Sequence, residues 1–408
     1  MGIRLRTAGL LAIAGTLATG SFTPAAAEGA STSSWSPDLG AGEAAGISVV
    51  SGAATLDPDH SYLAPVDDGT HAEGAPAVTP TGLLTLPAKE LERATDRVRA
   101  SVDGDVPPGA SAVVDIRGMR SQGGWTEWIP VQDGAVAQLP EPSSRVQGRL
   151  VLTGDGAAMP TVRDVTLTAI PSERARSEAP APVKEMLNYR VFATREGLAG
   201  GRTANGHTIA ERDHFVALPS RRALAPRNTS DYSVKVCAPT GRCAFAPVWD
   251  VGPWNTRDDY WNPPGERQEW RDLPQGLPQA QAAFDDGHNG GRDQYDRKVK
   301  NPAGIDLGDG LFWDALGLEN NAWVSVDYLW TGPLRLSKVA GEEPVDVLAA
   351  PDAAAKVIGV AAAKAAVPVE CLLTSTAGKW LRIGTDQYVA AEAVPDAGDI
   401  EACNAAAA

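Results

Sequence analysis

Short runs of alternating hydrophobic and polar residues, separated by turn signals, fill the first half of the chain. Val165, Leu167 and Ala169 alternate with polar neighbours, and a Gly-Gly pair at 123–124 marks one of the turns. This alternation is typical of strands that bury one face. Regularly spaced short strands of this kind predict an antiparallel, jelly-roll-like β-sandwich over residues 31–171.

Two further units follow the sandwich. Residues 172–186 are rich in proline, serine and charge, which predicts a linker. The pattern over residues 187–332 predicts a second, mainly β domain with one or two short helices, and strand-like runs at 341–404 form a third unit. For the second domain we expect a helix at 310–316 and strands at 189–193, 215–217, 232–237, 244–249 and 323–330.

The N-terminal residues predict export. Arg4 and Arg6 precede an apolar run from Ala8 to Ala18, and the alanines at 25–27 offer a cleavage site. This combination is typical of a secretory signal peptide, here residues 1–27, and the apolar run is too short to span a bilayer. No later stretch is apolar enough to predict a membrane span, so we expect a secreted protein.

The formal net charge of −15 weighs against nucleic acid and anionic membrane surfaces as partners. It is compatible with a protein that works among neutral or mixed-charge polymers, of which carbohydrate is one. We expect a monomer that uses no cofactor.

The four cysteines predict disulfide bonds, because disulfides persist outside the cell. Cys237 and Cys243 flank a turn-forming segment between two strand-like runs, which favours a bond across a hairpin. Cys371 and Cys403 would then pair within the C-terminal unit. Other pairings remain open, although the two pairs lie in different predicted domains. The sequence has no Cys-x-x-Cys motif and its five histidines are scattered, so a zinc site is not predicted.

Motifs in the first domain resemble discoidin-like jelly-roll modules. These motifs are Gly-Gly-Trp-Thr-Glu-Trp (123–128), Ser-Ser-Arg-Val-Gln-Gly-Arg-Leu-Val-Leu (143–152) and Pro-Thr-Val-Arg-Asp-Val-Thr-Leu (160–167). Such modules often bind glycans, so Trp125 and Trp128 are candidates for that role. Both fit core positions equally well, and a core position is expected for at least one of them.

The second domain resembles the double-psi β-barrel of rare lipoprotein A, the expansins and related lytic transglycosylases. The matching motifs are Thr-Ala-Asn-Gly (203–206), Ala-Leu-Pro (217–219), Trp-Asp-Val-Gly-Pro (249–253) and Ile-Asp-Leu (305–307), the last followed by the predicted helix. The resemblance implies a double-psi β-barrel at 187–332 that binds or cleaves a glycan.

This chain departs from that family in two places. Val251 stands where the family's Asp-Arg-Gly-Pro motif has arginine, so the guanidinium is missing. His214 lies four residues before Leu218, whereas the family's histidine lies three residues before its Leu-Pro, a position that Phe215 holds here.

The third unit, residues 341–404, resembles a small bacterial SH3-like barrel. The order of motifs carries this resemblance: a turn at Pro351, Lys-Val-Ile-Gly (356–359), Trp-Leu-Arg-Ile (380–383) and Tyr-Val (388–389). Modules of this kind commonly recognise cell-wall peptides, and many serve only as structural spacers.

Two carboxylates are the candidate catalytic groups. Asp250 lies between Trp249 and Trp254 at a stiff Gly-Pro turn, and aromatic neighbours tend to raise a carboxyl pKa. In the resembled barrel, the loop with Asp250 and the strand with Asp306 lie close together, as glycoside cleavage by two carboxylates requires. The resemblance implies Asp250 as general acid in a cleavage without water as nucleophile, with Asp306 as its partner or as a brace.

Residues around these carboxylates are candidates for binding a sugar. Hydroxyl and amide groups orient sugars by hydrogen bonds, and aromatic rings offer flat apolar faces. The candidate substrate-binding residues are Thr203, Asn205, His214, Trp254, Tyr260, Trp261 and Trp270.

A structural alternative stays open for each candidate. Asp250 would cap its own turn, Asp306 would cap the helix that begins near Gly308, and the aromatic residues of the insert at 256–301 would cover the barrel. The same insert contains a group of oxygen-bearing side chains that resembles calcium ligands, but its spacing fits no EF-hand loop and no metal is predicted. This group comprises Asp285, Asp286, Asn289 and Asp293.

Two functional hypotheses follow. In the first, an exported, cell-wall-associated protein binds and cleaves peptidoglycan-type glycan with its central barrel. In the second, the chain is an array of non-catalytic modules that bind carbohydrate or the cell wall, since fold alone does not decide activity.

Overall fold

The computed structural model describes residues 32–62, 79–154, 159–171, 185–376 and 378–403. The predicted signal peptide and nearly all of the predicted linker lie outside these residues. All described residues belong to one unit, Thr32–Ala408. The prediction of a mainly β protein is confirmed, because strands dominate this unit and helices are few and short.

The alternating residues of the first half form a ten-stranded sheet. Its path runs β2-β5-β9-β6-β10-β4-β3, with β1 paired to β10, β7 to β9 and β8 to β7. Leu150 and Val165 are among the buried residues of its core. The strands are β1 (Ser33–Trp35), β2 (Glu43–Ala45), β3 (Ile47–Val50), β4 (Ala53–Leu56), β5 (Thr81–Thr85), β6 (Lys89–Asp105), β7 (Ser111–Gly118), β8 (Ile129–Val131), β9 (Val136–Thr153) and β10 (Thr161–Ile170).

The second half contains a closed six-stranded barrel. The strands follow the order β12-β15-β11-β16-β13-β14, and a parallel pairing between β12 and β14 closes the ring. The pair β11–β15 is also parallel, whereas the other neighbours in the ring are antiparallel. The strands are β11 (Leu187–Glu196), β12 (Val216–Leu218), β13 (Ser233–Cys237), β14 (Cys243–Val251), β15 (Ala303–Gly308) and β16 (Ala322–Tyr328).

Helices are short, and the two longest lie between barrel strands. The helix α1 (Gln279–Asp286) belongs to the insert between β14 and β15. The predicted helix at 310–316 is present as a π-helix, Gly310–Ala315. Single turns of 3₁₀-helix lie at Leu39–Ala41, Arg221–Ala223, His288–Gly291, Leu329–Thr331, Ala391–Ala393 and Pro395–Ala397. None of the helices in the described part of the chain is long and apolar enough to cross a membrane.

The C-terminal unit continues the barrel sheet. Its strand β19 pairs in parallel with β14, where Cys243 lies opposite Gly359. The strands are β17 (Leu336–Lys338), β18 (Val345–Leu348), β19 (Val357–Ala361), β20 (Ala366–Pro368), β21 (Cys371–Ser375), β22 (Gly378–Gly384) and β23 (Gln387–Ala390). Both predicted disulfides are confirmed, Cys237–Cys243 across the β13–β14 hairpin and Cys371–Cys403 within the C-terminal unit.

The sandwich and the barrel share a hydrophobic core. Trp125 and Trp128 of the sandwich are 8% and 0% exposed and belong to the same cluster as the barrel interior. The guanidinium of Arg117 lies 4.3 and 4.1 Å from their ring centroids and forms an ion pair of 2.8 Å with Asp231. Both tryptophans are therefore core residues, as predicted for at least one of them.

Candidate functional site

Asp250 and Asp306 lie on the two strands that flank β12. Ala217 of β12 is opposite Asp250 on one side and opposite Asp306 on the other. Two strand spacings separate the aspartates, which places their Cα atoms about 9–10 Å apart. Residues directly opposite each other share a face of the sheet, so both carboxylates belong to the same face of the barrel wall.

Asp250 holds the turn that contains Thr-Ala-Asn-Gly. Its Oδ1 accepts hydrogen bonds from the backbone N–H groups of Ala204 at 2.7 Å and Val251 at 2.8 Å. Within that turn, Thr203 Oγ1 donates to Asn205 Oδ1 at 2.7 Å, and Asn205 Nδ2 donates to the carbonyl of Ala225 at 3.1 Å. The structure therefore brings Thr203 and Asn205 next to Asp250, where their buried side chains shape the turn.

Glu196, which was not among the predicted site residues, completes the site. It lies two residues after Thr194 in β11, and Thr194 is opposite Asp306, so all three side chains share one face. Glu196 is 9% exposed, and a side-chain hydrogen bond with Asp250 is among the causes that raise its pKa. Glu196 Oε2 receives no hydrogen bond from an N–H or O–H group of the described residues. The interaction of the two carboxyl groups is favourable when one of them carries a proton, and Glu196 and Asp250 are called the acid pair below.

The electrostatic surroundings favour retention of that proton. Burial raises the pKa of Glu196 well above its ordinary value, and the negative charges of Asp250, Asp306 and Asp309 raise it further. Burial also raises the pKa of Asp250, although the hydrogen bond with Glu196 and two backbone N–H groups act in the opposite direction. Raised carboxyl pKa values are the condition for a general acid near neutral pH.

Asp306 and Asp309 lie on the same side of the molecule as Glu196. The hydroxyl group of Thr194 donates a hydrogen bond to Asp306. Asp309 follows the end of β15, and its Oδ1 accepts a bond of 3.0 Å from Arg195 Nη1. The result is a group of four acidic side chains in which Glu196 is the most deeply buried member.

His214 lies at the end of the barrel, beside the π-helix. A Cβ atom on Gly310 would lie 2.6 Å from Cε1 of His214 and 1.9 Å from the carbonyl oxygen of Arg212. Glycine is therefore required there for the close approach of the two segments. Burial lowers the pKa of His214, which favours a neutral imidazole.

The aromatic residues predicted to bind sugar rings lie mostly in the interior. Tyr260 and Trp261 are 0% exposed and Trp254 is 7% exposed, so these three rings offer no free face to a ligand. Tyr260 donates to the carbonyl of Gly304 at 2.9 Å. Trp270 is half-buried. This differs from the predicted platform, and the reason is that the insert folds into the shared core instead of lining a groove.

Asp293, one of the four side chains that resemble calcium ligands, has a structural use. Asp293 Oδ2 pairs with Arg297 at 2.6 Å, and its Oδ1 accepts from the backbone of Tyr295 and Arg297 at 2.9 Å each. Within the described residues, histidine, cysteine and acidic side chains form no cluster of three or more that would hold a metal ion.

The C-terminal unit has a groove of about 280 Å³. Trp380 lines this groove together with apolar residues such as Leu348 and Val357, and the exposed acids Asp346 and Glu392 also contribute to its lining. Trp380 is 5% exposed, and its indole N–H is buried without an acceptor among the described residues.

These observations define a mainly β protein whose closed six-stranded barrel has a buried acid pair on its wall. Residues 187–327, which cover the barrel, match a family model described as a domain of unknown function (DUF8814). A comparison with curated proteins finds no match to this chain.

Proposed function

We propose that this protein is an exported, cell-wall-associated enzyme whose barrel binds and cleaves peptidoglycan-type glycan. The observation that carries the proposal is the buried acid pair of Glu196 and Asp250 on the barrel wall, with Asp306 on the same face. The six-stranded ring with two parallel strand pairs also supports the resemblance to a double-psi β-barrel.

In the proposed reaction, the acid pair donates its proton to the glycosidic oxygen as the C1–O bond breaks. The sugar's own 6-hydroxyl oxygen then attacks C1, and its proton returns to the pair. No water is consumed, and the product is an anhydro sugar. A pair that both gives and accepts a proton near neutral pH needs the raised pKa that burial produces here.

The roles of the two carboxyl groups differ. Asp250 is partly exposed and closest to solvent, so it is the member that contacts the glycosidic oxygen. Glu196 lies behind it and shares the proton, which makes it a positioning residue. Asp306 adds negative charge that favours the positive charge developing on the sugar ring.

Incubation of the purified protein with cell-wall sacculi tests this proposal. We expect wild type to release anhydro-muropeptides detectable by mass spectrometry, and Glu196→Gln and Asp250→Asn to release at least 100-fold less. Glu319→Gln, an acid-to-amide change at an exposed position, is the matched control and should leave release unchanged. Absence of product from wild type would remove the claim of cleavage.

A second candidate function is glycan or cell-wall binding without cleavage. Two observations favour it: both bonds to Asp250 Oδ1 brace the neighbouring turn, and the groove beside Trp380 offers apolar side chains and two carboxylates to a cell-wall peptide. In that case sacculi should retain the protein in a pull-down whether or not Asp250 is changed to Asn. Loss of retention in Asp250→Asn would count against this alternative.

A further inference from the structure

Trp313 stands apart from the other tryptophans. All 11 tryptophans lie within the described residues, and Trp313 is the most exposed of them, at 37%. It belongs to the π-helix Gly310–Ala315, a rare form of helix that occurs frequently at functional sites. An exposed tryptophan is thus available in this π-helix and not in the insert, where one was expected.

The guanidinium groups of two arginines lie over part of this ring. The guanidinium carbons of Arg195 and Arg212 lie 4.8 and 4.5 Å from the Trp313 ring centroid. Arg195 Nη1 contacts Asp309 at 3.0 Å, and Arg212 Nη1 contacts Asp314 at 3.4 Å. Nε and Nη2 of both arginines have no acceptor in the described part of the chain, so they remain available as donors.

Arg212 is held in an unusual backbone conformation. Its φ of 68° lies in the left-handed region, which residues other than glycine seldom adopt. The following residue, Asp213, accepts a 2.9 Å bond from the backbone of Gly310, which fixes this segment against the π-helix. Strain of this kind persists where the surrounding structure enforces it, and it is concentrated at binding and active sites.

This surface adjoins the acid pair. Arg195 and Glu196 are consecutive residues at the end of β11, so their Cα atoms are about 3.8 Å apart, although their side chains leave the strand on opposite sides. Asp309 links the two, because it accepts a bond from Arg195 and its charge raises the pKa of Glu196. A glycan that contacts both the acid pair and Trp313 would therefore pass around the end of β11, beside Asp309.

We propose that Trp313, Arg195 and Arg212 form a subsite for an uncharged sugar ring. The apolar face of a pyranose stacks on an indole ring, and its hydroxyl groups both donate and accept hydrogen bonds. Free guanidinium N–H groups supply the donors, and the partly exposed carboxylates of Asp309 and Asp314 supply acceptors. Because each arginine already has a carboxylate partner, the surface carries no excess positive charge and suits a neutral ring better than an acidic one. This inference rests on the proposed glycan function and names a subsite for it.

The test is a titration of the full chain with chitotetraose, a neutral oligosaccharide, followed by calorimetry and tryptophan fluorescence. We expect binding to change the fluorescence, and Trp313→Phe to remove most of that change. Trp313→Ala should weaken binding at least tenfold. Arg212→Gly, which relieves the positive φ while it removes the guanidinium, should fold normally and also weaken binding.

Trp323→Ala is the matched control. Trp323 is a half-buried tryptophan on β16 with the guanidinium of Arg190 at 4.8 Å from its ring centroid. We expect this variant to bind chitotetraose as wild type does. Equal binding by Trp313→Ala and wild type, or no binding by wild type, would overturn the subsite.

The subsite and the cleavage reaction can fail separately. Release of anhydro-muropeptides with an unchanged KM in Trp313→Ala would overturn the subsite and leave the cleavage intact. Chitotetraose binding that depends on Trp313, together with no product from sacculi, would support the subsite and remove the enzyme.

Discussion

Glu127 of the sandwich accepts a hydrogen bond of 2.7 Å from the indole Nε1 of Trp261 in the barrel insert. The same carboxylate accepts from Trp330 Nε1 at 3.0 Å and from Asn262 Nδ2 at 2.7 Å. Burial alone would raise the pKa of Glu127, but the charge of Arg222 and these three donors outweigh burial and lower it. One ionised side chain therefore holds the sandwich to the insert and keeps Trp261 in the core.

We expect Glu127→Gln to lower the free energy of unfolding by about 2–4 kcal/mol, because an amide leaves buried donors facing its own N–H groups. Chemical denaturation of the full chain measures this loss. Glu92→Gln, at an exposed position of the same sandwich, is the control and should change stability by less than about 0.5 kcal/mol. A similarly small effect of Glu127→Gln would show that the contact between the sandwich and the insert does not depend on the charge of Glu127.

The acid pair should make stability fall as pH rises. Glu196 keeps its proton in the folded state at pH values where the unfolded chain has lost it, because its pKa is raised above the ordinary 4.5. The unfolding free energy therefore decreases above about pH 4.5, by up to about 1.4 kcal/mol per pH unit, until the folded pKa is passed.

Glu196→Gln isolates this contribution, because the amide has no proton to lose. The free energy of unfolding of Glu196→Gln minus that of wild type should be larger at about pH 8 than at about pH 5. Denaturation at both pH values measures the difference, while the carboxyl groups that do not interact with Glu196 provide the same background in both proteins. An identical difference at the two pH values would contradict the raised pKa.

Two substitutions of Asp250 should separate its structural role from its chemical role. Asp250→Asn retains an Oδ1 that accepts from Ala204 and Val251, so we expect a change in stability below about 1 kcal/mol. Asp250→Ala leaves both backbone N–H groups without this acceptor and should cost about 2–3 kcal/mol. Hydrogen exchange of the amides at 203–206 reports the bracing, and equal protection in the two variants would argue against it.

The two disulfides should contribute unequally. Cross-linking the long loop between Cys371 and Cys403 restricts the unfolded chain more than closing the short hairpin between Cys237 and Cys243. Loop-closure entropy gives about 4 kcal/mol for the former and about 2 kcal/mol for the latter. Thermal denaturation of the paired Cys→Ser variants compares them. A larger loss from the hairpin variant would indicate that strand pairing, rather than chain entropy, dominates.

Much of the fold could be predicted from local pattern. Alternation of apolar and polar residues fixed the strands, the helix after Ile-Asp-Leu is present as Gly310–Ala315, and both cysteine pairs form as spacing indicated. These features depend on neighbours in sequence, where side-chain period and turn residues carry the information.

The site itself was only partly accessible from sequence. Asp250 and Asp306 were chosen from motifs, but Glu196 has no motif, and its one local signal is a polar residue in phase with Thr194 at the end of a strand. Its meeting with Asp250 depends on β12 lying between β14 and β15, a pairing between distant segments. The exposed Trp313 was missed for a related reason. A tryptophan in the sequence does not reveal whether its ring will be buried or exposed, because that depends on tertiary packing.

The sequence by itself determined which segments form strands, which side chains alternate across each strand and which cysteines can be joined, because these follow from short-range geometry. Only the tertiary structure decided which carboxyl groups interact as an acid pair and which tryptophans are buried. Those outcomes depend on strand order and register around a closed ring, and on the packing of the sandwich against that ring. Both are set by how distant segments bury their apolar surfaces together.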